Sequence, residues 1–135
     1  YINTYIMLVD LKMVSLVEDN DGNLVAFGIS MPSIVRAVQK SNGKMLPFGW
    51  FRIIRSMFFK HEENLELLLV GIKPEYQNKG VYAMLFKDLI PIYQEYGFKY
   101  SETNAELEDN IKIRAPWDYF EKEQHKRRRI YGKMI

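Results

Sequence analysis

The chain has 135 residues, 47% of them apolar and 27% charged, and a net charge of +2. That balance describes one ordinary globular domain, with too little positive charge to argue for nucleic acid by itself. Cysteine is absent, which excludes disulfides, cysteine-ligated zinc and thiol catalysis; it fits a reducing compartment, so a cytoplasmic location is expected.

The only histidines, His61 and His125, stand far apart in sequence. A histidine-based metal site or triad would need both and further ligands, so no metal is expected. No uninterrupted apolar run is long enough to cross a bilayer, and there is no signal-peptide pattern.

Residues 1–11 are apolar and aromatic, spaced as a helix face or an arm. Met13 to Glu18 reads as a strand, Asp19 to Asn23 as a turn with Gly22 available for positive φ, and Leu24 to Ser30 as a second strand. Together they predict a β-hairpin. Asp19, Asp21 and Asn23 read as turn chemistry, because a calcium loop needs more oxygen ligands in fixed spacing.

Ser33 is the expected N-cap of a short helix over Ile34 to Lys40. Between Phe48 and Lys60, Phe51, Ile54 and Phe58 fall on one helical face, with Trp50, Ile53 and Met57 beside them. A membrane-surface helix is one reading of this stripe. A helix covering the sheet or walling a pocket is the favoured one, and no membrane partner is expected.

The stretch from Leu65 to Leu89 organises the rest. Asn64 to Ile72 is too continuously apolar for a half-exposed strand, which predicts a central strand covered on both sides, with Gly71 marking a bulge or a close backbone approach. Pro74 ends it, and a polar turn, Gln77-Asn78-Lys79-Gly80, opens a helix carrying Val81, Met84, Leu85 and Leu89 on one face. A helix start offers unpaired N–H groups and the positive end of the macrodipole, a combination suited to a phosphate. Pro91 is expected to kink or split the helix, and Gly97 to close it.

Phe98 to Asn104 alternates as a strand, Ala105 to Phe120 reads as largely helical from Leu107, and His125 to Met134 as a last strand. The run Lys126 to Arg129 suits nucleic acid or anionic lipid, but a strand would split it between two faces. A charge-blunted edge strand is the reading preferred, and no nucleic acid is expected.

Ile72 to Leu85 resembles motif A of the GCN5-related N-acetyltransferase (GNAT) superfamily: an aliphatic residue, a proline, then Gln-x-x-Gly at a helix start. The resemblance runs from Met13 to Ile135 in the family's order of elements from its second strand onward. It implies an α/β (α+β) fold with a mixed, mostly antiparallel central sheet flanked by helices, in one domain over residues 1–135. It also implies acetyl-CoA or another acyl-CoA as co-substrate, and direct acyl transfer to an amine on a small molecule or peptide. The family's pyrophosphate-holding role carries onto Gln77, Asn78, Lys79, Gly80, Val81 and Tyr82; the pantetheine-pairing role carries onto Leu69, Val70, Gly71 and Ile72.

Departures from the family pattern stand beside these matches. Tyr82 occupies a position where glycine or alanine is usual. A catalytic tyrosine is expected seven residues after an asparagine, but counting from Asn110 reaches Trp117, with Tyr119 nearby. Only a dozen residues precede the hairpin, so the chain is expected to be the C-terminal part of a longer member, lacking the first strand and helices. Glu66 is the candidate base, or else a charged residue at the strand's beginning. Asn104, with Glu102, is a candidate for orienting the acceptor or a water, or else turn chemistry. A non-catalytic domain binding acyl-CoA or a protein partner is the alternative to an enzyme.

Overall fold

The computed structural model describes residues 9–44, 46–59, 62–110 and 114–132. Of the helix face or arm expected over residues 1–11, residues 1–8 lie outside them, as does the anchor Ile111. The chain divides into two compact units, 1–102 and 103–135.

The first unit is built on a sheet of order β1-β2-β3-β4, with β1 at Val14–Glu18, β2 at Leu24–Pro32, β3 at Asn64–Ile72 and β4 at Tyr100–Thr103. The first three strands are antiparallel neighbours. Asp19 makes the predicted hairpin turn: its Oδ1 accepts the backbone N–H groups of Asp21 at 3.0 Å and Asn23 at 2.9 Å. That oxygen is thus committed to turn chemistry, as the sequence suggested.

Between β3 and β4 runs helix α3, Val81–Glu95, after two shorter helices, α1 at Val35–Lys40 and α2 at Gly49–Phe58. The backbone N–H groups of Lys99 and Tyr100 both donate to the carbonyl of Glu63. The starts of β3 and β4 therefore lie side by side, joined through a helix as a parallel pair requires.

Helix α3 covers one sheet face. Leu85 and Leu89 are buried, and a side chain at Gly28 would meet both of them, at 3.9 and 3.4 Å. Val17, Val25, Ala26, Val81 and Leu85 form the core cluster; burying Leu85 alone stabilises by about 2 kcal/mol. Fully buried Ser30 links the layers, its hydroxyl accepting from the Tyr93 hydroxyl at 2.8 Å and donating to the Met13 carbonyl at 3.0 Å.

Pro91 was expected to kink or split this helix; it does not split it, and α3 continues through it. Pro91 and Lys87, whose carbonyl loses its partner, are both exposed, so water can satisfy that carbonyl. At the helix end Phe98 N–H bonds the Tyr93 carbonyl and Gly97 N–H the Gln94 carbonyl, and the Tyr93 and Phe98 rings meet edge-on. This is a Schellman closure with its hydrophobic contact, at the glycine the sequence marked.

Next to it, the Tyr96 hydroxyl donates to Asp10 Oδ2 at 2.7 Å. That bond, helped by burial, pushes the Tyr96 phenol up from 10.0 to about 12. The fold favours the neutral phenol, so this stabilisation is complete below pH 10 and is lost as the pH rises toward 12. Burial pushes Tyr76 and Tyr93 upward as well, which acts in the same direction. The expected result is a denaturation midpoint that falls as the pH climbs from 10 to 12, with a shallower fall in Tyr96→Phe, measured by urea titration at several pH values.

Three expectations are corrected. The central strand β3 is not covered on both sides: Leu65 and Leu67 are buried, but Leu69 is 59% exposed. Within the first unit α3 lies on one face of the sheet, and a continuous apolar run does not by itself supply a second covering layer. Helix α2 does not turn its aromatic stripe inward, and rests on Gly49, Ser56 and Met57 instead. Small residues allow that close seat: Ser56 Oγ donates to the Ser33 carbonyl at 3.5 Å.

The last correction falls in the second unit. In place of a long helix it has a 3-10 helix at Ala115–Tyr119, with Pro116 in its first turn, and residues 121–132 carry no regular secondary structure. Four consecutive cations repel one another, and Ile130 and Tyr131 are exposed. A strand without a paired neighbour or a buried face has nothing to hold it. The residues that do anchor this unit are Trp117, whose indole N–H donates to Glu106 Oε1 at 2.8 Å, and Arg127, paired with Glu108 at 2.9 Å.

Candidate functional site

The turn after β3 has the backbone that its sequence implies. Gln77 is extended, Asn78 has φ +61° and Gly80 has φ +77°. Asparagine and glycine are the residues that tolerate this left-handed region at least cost. Gly80 is exposed, a Cβ placed on it would meet nothing within 4 Å, and it caps α3 without any side-chain bond. Its carbonyl is the first intrahelical acceptor, taking Ala83 N–H at 3.0 Å and Met84 N–H at 3.4 Å. Turns with left-handed residues leading into a helix start are the geometry from which anion-binding nests are made.

Side chains brace this turn from below. Gln77 Nε2 donates to the Ile72 carbonyl at 3.4 Å, and Val81 is buried in the core cluster. Lys79 Nζ lies 5.4 Å from the centre of the Tyr76 ring, and the Tyr76 hydroxyl donates to Asp19 Oδ2 at 3.3 Å. Asp19 is held below the usual carboxylate range, chiefly by the backbone N–H of Asn23, so it stays an acceptor. The hairpin turn and the polar turn are thereby tied together. Sequence reading missed Asp19 and Tyr76 in this role; an aromatic three residues before a lysine, inside a polar turn, was the available signal. Tyr82 is half-buried at the second position of α3.

Along β3 the register with β2 changes at one point. Leu69 faces Ile29 and Leu67 faces Ser30, so Leu68 is an extra residue, a β-bulge. Gly71 marks a close approach and not the bulge: a Cβ there would come 2.5 Å from the Phe27 ring. Glu66 pairs with Met31, Leu69 with Ile29 and Gly71 with Phe27. Cross-strand partners share a face, and these three β2 residues alternate with Gly28 and Ser30, which lie against α3. Glu66, Leu69 and Gly71 therefore share the face away from α3, while Val70 and Ile72 pack against the core cluster. Since β4 is four residues long and starts level with the beginning of β3, the second half of nine-residue β3 runs past it.

Glu66 is half-buried, and its Oε1 accepts the Ser33 hydroxyl at 2.9 Å. Ser33 was expected as the helix N-cap; the cap is instead Ile34, because the helix begins one residue later, at Val35, and the Ser33 hydroxyl accepts the Val35 N–H at 3.4 Å from just outside it. Asn104 and Tyr119 belong to the second unit; both are exposed, Tyr119 at 90%.

Comparison with solved structures decides what frame holds this turn. The chain superposes on an aminoglycoside N-acetyltransferase, AAC(6')-Iy in complex with CoA, with a TM-score of 0.56 at 11% identity, over 90% of this chain and 75% of that one. It superposes on a ribosomal-protein-alanine N-acetyltransferase from Brucella melitensis biovar Abortus 2308 with a TM-score of 0.51 at 14% identity, over 94% and 76%. An aminoglycoside acetyltransferase from an uncultured soil metagenomic sample, meta-AAC0020 in complex with sisomicin, gives 0.52 at 10% identity, over 85% and 61%. The fold is GNAT-like.

In this GNAT-like frame the sequence relatives are distant. Protein YghO of Escherichia coli (strain K12) is 24% identical over 123 residues, 88% of this chain and 32% of YghO. The bacterial ceramide synthase of Caulobacter vibrioides (strain NA1000 / CB15N) is 28% identical over 65 residues, 48% of this chain and 17% of the synthase. The chain thus spans about a third or less of the length of these curated relatives. No family model matches it.

Proposed function

We propose that this GNAT-like chain takes part in N-acyl transfer from an acyl-coenzyme A, acetyl-CoA in the simplest case, directly to an amine. The Gln77–Tyr82 turn carries the reading: two left-handed residues at an open helix start, braced from below by Tyr76 and the core. Gln77, Asn78, Lys79, Gly80, Val81 and Tyr82 would hold the pyrophosphate. Leu69, Val70, Gly71 and Ile72, on the part of β3 that runs past β4, would pair with the pantetheine arm. The turn fits such a ligand because the space above Gly80 is open and its backbone N–H groups are not blocked by a capping side chain.

In the reaction the amine nitrogen attacks the thioester carbonyl carbon, the C–S bond breaks, and coenzyme A leaves as its thiol. The attacking amine must be neutral, which calls for a base near the operating pH. Glu66 takes that role in this reading, held in place by Ser33 and on the same face as Gly71. Tyr119 is the proposed proton donor to the departing thiolate, and Asn104 orients the acceptor. The names of the similar proteins, an aminoglycoside N-acetyltransferase, a ribosomal-protein-alanine N-acetyltransferase and a ceramide synthase, all fit the formation of an amide on a former amine. That shared bond supports an amine acceptor without selecting among small-molecule, peptide and lipid amines.

A thermal-shift titration with acetyl-CoA and a longer acyl-CoA tests the donor, because a ligand bound only to the native state raises the melting temperature with concentration. No shift with either would refute the proposal. Thiol release is then followed with an aminoglycoside, an alanine-terminal peptide and a long-chain amino alcohol. Binding without release in every case would favour the non-catalytic reading, which Trp117 at the family's tyrosine position makes concrete.

A further inference from the structure

Helix α2 presents its aromatic side outward. Met57 is 4% exposed on the inner side, whereas Trp50, Phe51 and Phe58 are 48%, 55% and 43% exposed, and Ile54 lies between them. At 100° per residue these four fall within one third of the helix circumference, opposite Gly49 and Ser56. Arg55 and Arg52 border this stripe on one side. The flanking Phe48 and Phe59, 71% and 81% exposed, extend it at both ends.

The charge around this stripe is mostly positive, although Arg36 pairs with Glu62 at 3.8 Å. From Gly22 to His61 the sequence holds six lysines and arginines and no aspartate or glutamate. The whole chain nets only +2, so this segment is a local concentration of positive charge. Among the described cations, Arg36, Lys40, Lys44, Arg52 and Arg55 are exposed. Arg52 Nη1 donates to the Lys40 carbonyl at 2.6 Å, which fastens α1 to α2 and keeps the stripe's cationic border in place.

We infer that α2 is a membrane-docking element that lays its aromatic stripe into the headgroup boundary of an anionic bilayer. Aromatic and aliphatic side chains enter such a boundary, while bordering arginines reach lipid phosphates with their stems lying along the apolar surface. A nucleic acid would match the charge but not the apolar centre of the face. An amphipathic helix that buries small residues against its own domain and points its large apolar residues outward is seated for a surface, not for a core. The sequence favoured a helix covering the sheet or walling a pocket because it shows no lysine-rich polar face; the structure turns the aromatic stripe outward, with arginines along its border.

The test is co-sedimentation of the whole chain with vesicles of equal parts phosphatidylcholine and phosphatidylglycerol, against vesicles of phosphatidylcholine alone. The expected result is binding to the anionic vesicles that weakens with added salt, with a blue shift of tryptophan emission that Trp50→Phe removes. The double variant Phe51→Ser, Phe58→Ser, altered only at exposed positions, should lower partitioning by about ten- to a hundredfold at a near-unchanged melting temperature. Lack of binding to anionic vesicles would overturn the inference, as would undiminished binding by the double variant, which would point to Lys126–Arg129. A concentration-dependent dimer lost in that variant, without vesicle binding, would assign the face to a second copy of the chain. Binding to an oligonucleotide but not to vesicles would equally overturn it.

Discussion

Gly80→Trp should abolish acetyl-CoA binding while leaving the chain folded. Two effects combine. The indole would fill the open space above the turn, where the structure has nothing within 4 Å of a Cβ. It would also force a large residue to φ +77°, which costs about 1–2 kcal/mol of stability. The two effects are separable with Gly80→Asn, because asparagine tolerates the left-handed region and is already used at Asn78. In this comparison Gly80→Asn keeps most of the stability, and Gly80→Trp loses ligand affinity beyond what its lower stability explains. Calorimetric titration beside thermal melts reads both. Unchanged affinity in Gly80→Trp would remove the phosphate turn from Gln77–Tyr82.

Glu66→Gln should lower the rate of acyl transfer by about 10²- to 10⁴-fold, the usual contribution of a positioned general base. The substitution is close to isosteric. An amide oxygen still accepts the Ser33 hydroxyl, which lies 2.9 Å from Glu66 Oε1, so the local fold and the affinity for acyl-CoA should hold. Ser33→Ala gives the complementary measurement: the carboxylate stays but its holder is gone, and a smaller loss of rate is expected, with the pH–rate profile keeping its basic limb. If Glu66→Gln turns over at the wild-type rate with an unchanged pH profile, Glu66 is a structural residue at the start of β3 and the base lies elsewhere.

Much of the first unit is written in local sequence. The Asp19–Asn23 turn, the β-hairpin, the Gln77–Gly80 turn and the Gly97 closure were all legible because each rests on residues within a few positions of one another. Asparagine and glycine at positive φ, or a carboxylate bonding N–H groups two and four residues on, leave a signature in the chain itself. Helix α3 was legible for the same reason: the spacing of Val81, Leu85 and Leu89 encodes its buried face, whereas Met84, read onto the same face, is 53% exposed.

The misreadings have a common origin. The Phe51–Ile54–Phe58 stripe has a sound helical period, but a period does not say which way a face points. That was decided by Gly49, Ser56 and Met57 seating α2 against the end of β2. The run His125 to Met134 has strand-forming residues near its end, but no partner strand holds its described part as a strand. The Asn64–Ile72 run was read as buried on both faces because apolar content was counted without a second covering layer.

The sequence by itself determined the geometry of the Gln77–Gly80 turn, through dihedral preferences that Asn78 and Gly80 carry wherever they stand. Only the tertiary structure decided what shares a face with it. By simple alternation Glu66 and Gly71, five residues apart, would point to opposite sides of β3. The bulge at Leu68 inserts one unopposed residue, reverses the alternation, and brings Glu66 onto the face of Leu69 and Gly71. That bulge arises from pairing with Ile29 and Ser30, nearly forty residues earlier, and a long-range register leaves no trace in the local order of residues.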